Sequence, residues 1–186
     1  MILGPMHVAF LEMVIDPVCS LVFEAEKEER NVMRRPPRRA GAPLFSGATM
    51  AWAGVQGALS FVAVALVLWF APDYGLTGEQ VRALCFATLV LVIVALIAVN
   101  RTEGASPLEA LLRPNRAFAV VLPLVGAMLA VVLLWGPAQS LFGFASLPAV
   151  SYVVPPLAAL VVLLALEAAK AVRGLALRGR QHPIEP

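Results

Sequence analysis

Two carboxylates lie close together in an apolar stretch near the start of this chain. Glu12 and Asp16 are four residues apart. In a helix this spacing places both side chains on one face, one turn apart, and Ser20 extends that face by another turn. Two like charges at this distance repel each other unless a cation or a proton lies between them. The pattern therefore predicts a site for a positive ion on one helix face.

A proline next to the second carboxylate adds to this site. Pro17 has no N–H, so the carbonyl of Met13 loses its helical hydrogen-bond partner. We therefore expect the helix to kink or unwind at Asp16. Carboxylates, a hydroxyl and a free carbonyl are hard oxygen ligands, which suit Ca²⁺, Na⁺, K⁺ or a proton better than a soft transition metal. The predicted ligands are Glu12 and Asp16, with Ser20 and the Met13 backbone carbonyl as additional ones.

A structural role is the alternative for both acids. They would then be protonated or hydrogen-bonded inside a helix bundle. His7, near the beginning of the same stretch, could be a gate or a proton site, but a lone histidine near a membrane interface is more often structural. Ionisable residues inside a membrane are functional more often than structural, which favours the ion site.

The composition indicates that lipid surrounds much of this protein. Of its 186 residues, 60% are hydrophobic and 14% are charged, against roughly 45–50% and 25% in globular proteins. The mean hydropathy is +0.85. A soluble protein of this size cannot bury so much apolar surface, and a disordered one needs the opposite composition. The net charge of +2 predicts no nucleic-acid partner.

Charged residues are nearly absent from long stretches, and these stretches give the predicted spans. A membrane helix needs about 20 apolar residues. The charge-free run 117–166 is too long for one helix, so we divide it near Gly136 and restart it at Pro155. We predict an all-α membrane protein, a single transmembrane domain over residues 1–186 that forms a bundle of five transmembrane helices. The predicted spans are about 5–23, 48–71, 82–99, 117–135 and 154–172.

The basic residues predict how the bundle is oriented. All Lys and Arg residues except Arg82 lie in or next to three segments outside the predicted spans: the one after the first span, the one after the third span and the C-terminal tail. Because cytoplasmic segments carry the excess of Lys and Arg, the loop 24–47 and the tail 173–186 are predicted to be cytoplasmic. The N-terminus is then outside, and the protein is integral to the plasma membrane. An outside N-terminus without a leader is unusual, which suggests that a segment is missing upstream.

Several motifs in the first quarter of the chain resemble a known family. Glu12-Met-Val-Ile-Asp-Pro17 is followed by Phe23-Glu24, by Asn31-Val-Met-Arg-Arg-Pro-Pro-Arg38 and by Ala42-Pro-Leu-Phe-Ser-Gly47. In order and spacing these motifs are similar to the cation-transporting P-type ATPases of the calcium-pump and sodium-pump type. The resemblance implies that the five spans are equivalent to helices six to ten of such a pump. It also implies a cytoplasmic C-terminus, as the basic residues do.

The resemblance implies roles for individual residues. Glu12 and Asp16 fall where the family has two side-chain ligands on helix six, whereas Ile15 replaces a third polar ligand of the calcium pumps. The third span, 83–100, lacks the acid that the eighth helix of calcium pumps can supply. The transported cation therefore stays open among Ca²⁺, Na⁺, K⁺ and a proton.

The chain contains no Asp-Lys-Thr-Gly phosphorylation motif. Phosphoryl transfer needs a nucleophile, a Mg²⁺ site and a phosphate cradle. We therefore predict no catalytic or cofactor-binding residues and no ATP hydrolysis by this chain alone. Its predicted partners are the lipid bilayer and the missing N-terminal part of the pump.

Two other functions are compatible with the same sequence. One is a stand-alone multi-span membrane protein with a structural or partner-binding role. The other is an ion or proton pathway that forms when several chains associate around the first span, without ATP.

Overall fold

The fold was analysed in a computed structural model that describes residues 3–26, 46–101 and 115–179, with side chains up to Arg173. Every regular element in these ranges is helical. Six α-helices follow one another: α1 Pro5–Glu24, α2 Gly47–Phe70, α3 Gly78–Asn100, α4 Arg116–Leu134, α5 Gly136–Phe142 and α6 Val154–Gly179. All but α5 belong to the 5 candidate membrane spans in the described part of the chain. This confirms the predicted all-α membrane fold with five spanning helices.

Most of the predicted loop 24–47 and the end of the predicted tail 173–186 lie outside the described residues. The same applies to the motif around Pro36 and Pro37, on which part of the family resemblance rests.

The central element of the bundle is α3. Beyond its polar first turn it is apolar on all sides. Of the residues in its 18-residue apolar stretch, 61% are buried, against 6% in the corresponding stretch that contains α2. A helix that is apolar all round belongs in the interior. On one side Phe86 and Val90 of α3 pack with Val18 of α1. On the other side Val92 and neighbouring residues pack against Leu166 of α6.

A capping box sets the beginning of α3. Gln80 donates its backbone N–H to the Thr77 hydroxyl at 3.4 Å, and the Thr77 N–H donates to the Gln80 side chain at 2.9 Å. This reciprocal pair satisfies two N–H groups at the helix start. The helix therefore begins at Gly78, ahead of the predicted span, because its first turn is polar and was not part of the apolar run.

The break predicted near Gly136 has a more detailed form in the structure. α4 ends at Leu134, and Gly136-Pro137 then begins the short helix α5, since proline fits the first turn of a helix. α5 ends at Phe142 and is followed by Gly143, whose φ of 62° is left-handed and favours glycine. The 3₁₀-helix Ala149–Val153 leads directly into α6.

The helix ends gather at two ends of the bundle. One end of the bundle contains the start of α1 and the connections 71–77 and 135–153, and we call it the short-loop end. Here the Gln80 side chain donates to the Ser146 carbonyl at 2.7 Å. At the other end of the bundle α1 and α3 end and α4 begins, and we call it the long-loop end. Each spanning helix thus runs opposite to the one before it.

Candidate ion-binding face of the first helix

α1 has one face in the bundle and one face outside it. The predicted ion ligands Glu12, Asp16 and Ser20 are all on the exposed face. The opposite face is buried through His7, Val14, Val18 and Val22. The structure therefore places the three side chains on one surface, as their spacing predicts, and directs them away from the other helices of the chain.

The two carboxylates are not compensated within the described chain. None of the described residues forms a hydrogen bond or an ion pair with Glu12 or Asp16. Nor does that part of the chain contain a group of three or more His, Cys, Asp or Glu residues that could hold a metal. A Ca²⁺ ion takes about six to eight oxygen ligands. The face of α1 can therefore supply only part of a coordination sphere.

The helix passes through Pro17 without interruption. Of the predicted kink or unwinding at Asp16, the unwinding is wrong, because α1 is continuous from Pro5 to Glu24 with Pro17 inside it, whereas the kink stays a prediction. A single missing N–H removes only one helical hydrogen bond, and membrane helices tolerate this when the rest of the helix is supported. The Met13 carbonyl still has no N–H at position 17 to accept from.

An aromatic cage holds the beginning of α1 at the short-loop end. The His7 ring centroid lies 5.6 Å from that of Phe86, 5.6 Å from that of Phe142 and 5.1 Å from that of Phe144. The Gly4 N–H donates to His7 Nδ1 at 2.9 Å and closes the first turn. His7 is only 5% exposed. Its surroundings fit the structural alternative and fix the rotation of α1 about its axis.

Substitutions at His7 can separate the cage from the cap. His7→Phe keeps a ring in the cage and loses the acceptor for Gly4, but it also removes His7 Nε2, which is buried without a hydrogen-bond partner among the described residues, so we expect a net change below about 1 kcal/mol of folding free energy. His7→Ala also removes the ring contacts and should cost about 3 kcal/mol. Unfolding of the purified full chain in detergent micelles measures both. Equal losses in the two variants would show that the aromatic contacts contribute nothing.

A polar clasp holds α1 at the long-loop end. We define the clasp as Glu26, Arg101 and Asn115. The Glu26 carboxylate accepts from Arg101 Nε at 3.0 Å and from Asn115 Nδ2 at 2.8 Å. Asn115 also donates to the Val22 carbonyl at 3.2 Å. The guanidinium of Arg101 lies 4.6 Å from the ring centre of Phe118. The clasp thus joins the end of α1 to α3 and α4.

Sequence reasoning missed this clasp. Asn115 carries a local signal, since it precedes a long apolar run and caps α4 by accepting from the Phe118 N–H at 3.0 Å. No local sequence signal indicates the contact between Asn115 and Glu26, because the two residues are far apart in the sequence. The cage and the clasp together hold both ends of α1 and leave the carboxylates between them on the free face.

Comparison with models of known protein families gives a match over most of the chain. The family model described as "Cation transporting ATPase, C-terminus" matches residues 1–172. A comparison with curated protein sequences found no match. The matched range takes in the first four spans, the fifth span up to residue 172 and the candidate ion-binding face. The chain therefore belongs to the family of C-terminal membrane regions of cation-transporting ATPases.

Proposed function

We propose that this chain is the C-terminal membrane portion of an ATP-driven cation pump, and that α1 contributes Glu12 and Asp16 to the site of the transported cation. Ser20 and the Met13 carbonyl are additional ligands. In this proposal the protein lies in the plasma membrane with its N-terminal end outside and its C-terminal end in the cytoplasm. The rest of the pump supplies the phosphorylation and ATP-binding domains.

The observation that carries the proposal is the position of the two carboxylates. They lie one turn apart on the exposed face of a spanning helix whose two ends are held by the cage and the clasp. A charge near the middle of a membrane helix costs about 2.5–3.5 kcal/mol on insertion scales. A cation between the carboxylates, with further ligands from neighbouring helices, offsets this cost.

The ligand chemistry restricts the cation. Two carboxylates, a hydroxyl and a carbonyl favour Ca²⁺, Na⁺, K⁺ or a proton over soft metals. Apolar Ile15 lies between the two acids. Its side chain contributes no oxygen, so the full ligand set depends on helices from the rest of the pump.

Flux measurements on reconstituted protein test the proposal against a passive pathway. Liposomes that contain only the purified chain should be as tight to Na⁺, K⁺, Ca²⁺ and protons as empty liposomes. Cation uptake should require both ATP and a coexpressed polypeptide that carries the Asp-Lys-Thr-Gly motif. Cation flux through the chain alone, without ATP, would instead support the oligomeric pathway. Failure of every such polypeptide to give ATP-dependent uptake would favour a stand-alone structural protein.

A further inference from the structure

A cavity of about 550 Å³ lies at the short-loop end, away from the ion-binding face. It is bounded by the last turns of α2, the connection 71–76, the first turns of α3 and residues 148–154. Ligand sites in proteins measure roughly 300–1,000 Å³ and are mostly apolar with a few polar groups. The volume is therefore that of a ligand site rather than of a packing defect.

The lining of the cavity is apolar and uncharged. No Asp, Glu, Lys, Arg or His side chain contributes to it, and its side-chain polar atoms are the hydroxyls of Tyr74 and Ser151. An apolar cavity of this kind does not hold water well, because a buried water needs two to four polar partners. A charged ligand would find no counter-ion here. The chemistry fits a hydrocarbon chain.

The cavity opens toward the medium around the bundle. Its inner wall includes Leu84 and Ala71, which are 3% and 6% exposed. Its mouth includes Tyr74, Val150 and Phe70, which are 83%, 81% and 51% exposed. The medium around the apolar surface of a membrane bundle is lipid. Lipid chains therefore reach the mouth directly.

We propose that this cavity binds one acyl chain of a membrane phospholipid. The acyl chain enters past Phe70 and Val150 and ends against Leu84. The hydroxyl of Tyr74, in the 3₁₀-helix that follows α2, lies where the ester groups of a lipid can accept a hydrogen bond, as interfacial tyrosines do. Because the lining has no charge, the site selects the chain and not the headgroup. A partner helix, which is about 10–12 Å across, would cover this cavity rather than fill it.

The bound acyl chain has a structural consequence for α2. This helix is little buried in the bundle, and its last turns and residues 148–154 both line the cavity. A lipid chain in the cavity fills the gap between these segments. The inference needs only that the bundle lies in a membrane, so it is independent of the proposed ion site.

Lipid retention measures occupancy. The full chain is purified in mild detergent, stripped of loosely bound lipid and examined by native mass spectrometry after addition of phosphatidylcholine. We expect one phosphatidylcholine retained per chain. Ala71→Leu and Leu66→Trp extend side chains into the cavity from different points and should each lower the retained fraction at least about tenfold. Leu160→Trp, at a lipid-facing position of matched exposure (50% against 51% for Leu66) outside the cavity, should leave it unchanged.

Photolabelling of the unaltered chain gives a second readout that needs no variant. Phosphatidylcholine with a diazirine in one acyl chain should crosslink mainly to residues 66–76 and 148–154, and unlabelled phosphatidylcholine should compete. Labelling spread over all exposed apolar positions, without competition, would overturn the proposal. So would normal lipid retention in a folded Ala71→Leu or Leu66→Trp variant. A variant that loses self-association but keeps its lipid would identify the site as an interface between chains and also overturn it.

Discussion

Glu12→Gln or Asp16→Asn in the assembled pump should raise the cation concentration for half-maximal ATP hydrolysis at least about tenfold, and the double variant should show no cation-dependent hydrolysis. Each substitution replaces a charged oxygen ligand by a neutral one. An interaction with a charged group is worth about 1.5–3 kcal/mol, which corresponds to roughly 10- to 150-fold in affinity. The double variant removes both charges that attract the cation. The measurement is steady-state ATP hydrolysis against cation concentration.

The same substitutions should have the opposite effect on the chain by itself. Removing an uncompensated charge from the middle of a membrane helix should stabilise the isolated chain, by up to about 2.5–3.5 kcal/mol per carboxylate on insertion scales. Unfolding in detergent micelles measures this effect. A structural role for the acids predicts the reverse, a loss of stability with no specific effect on cation affinity.

Glu24→Gln is the matched control for these variants. Glu24 lies on the same side of α1, four residues beyond Ser20, at the last position of the helix. The substitution Glu24→Gln makes the same chemical change as Glu12→Gln, but near the membrane surface. We expect little effect on cation affinity and on stability, so an effect as large as that of Glu12→Gln would contradict the assignment of the site to the middle of α1.

Breaking the clasp should give the second large effect. Arg101→Met removes the cationic partner of the Glu26 carboxylate, which then keeps Asn115 as its partner among the described residues. The side chains of Arg101 and Glu26 are only 6% and 17% exposed. Loss of one partner of a buried pair costs about 3–5 kcal/mol, so we expect a loss near 3 kcal/mol for this partly exposed one. Unfolding of the full chain in micelles measures the loss.

A double variant separates the ion pair from the packing around it. Glu26→Gln keeps the shape of the side chain and its contact with Asn115. In combination with Arg101→Met it leaves no unpaired charge at position 26, so the double variant should be more stable than Arg101→Met alone by about 1–2 kcal/mol. Additive losses from the two substitutions would show that Glu26 and Arg101 do not interact.

Sequence reasoning was sufficient for the fold because the spans depend on composition. Runs with few or no charged residues, the longest of them divided near Gly136, predict five helices of bilayer length, and the structure contains five such helices in its described part. Local details needed other information. The start of α3 depends on the hydrogen bonds between Thr77 and Gln80, and the helix after Gly136 depends on proline at a first turn. Hydropathy reports neither feature.

The candidate site was partly predictable for a similar reason. The shared face of Glu12, Asp16 and Ser20 follows from helical spacing alone. The effect of Pro17 did not follow, because whether a proline interrupts a helix depends on the support from its neighbours. The burial of His7 depends on Phe142 and Phe144, and the clasp depends on Asn115. These contacts join segments that are distant in the sequence, so no local pattern indicates them.

Equilibrium binding of the radioactive cation to the assembled pump tests the central claim most directly. The pump contains this chain and the polypeptide with the phosphorylation motif, and bound cation is counted per phosphorylation site in the absence of ATP. We predict saturable binding with the unaltered chain and with Glu24→Gln, and none with the variant that carries both Glu12→Gln and Asp16→Asn. Full binding by that double variant, in a pump that assembles normally, would contradict the account.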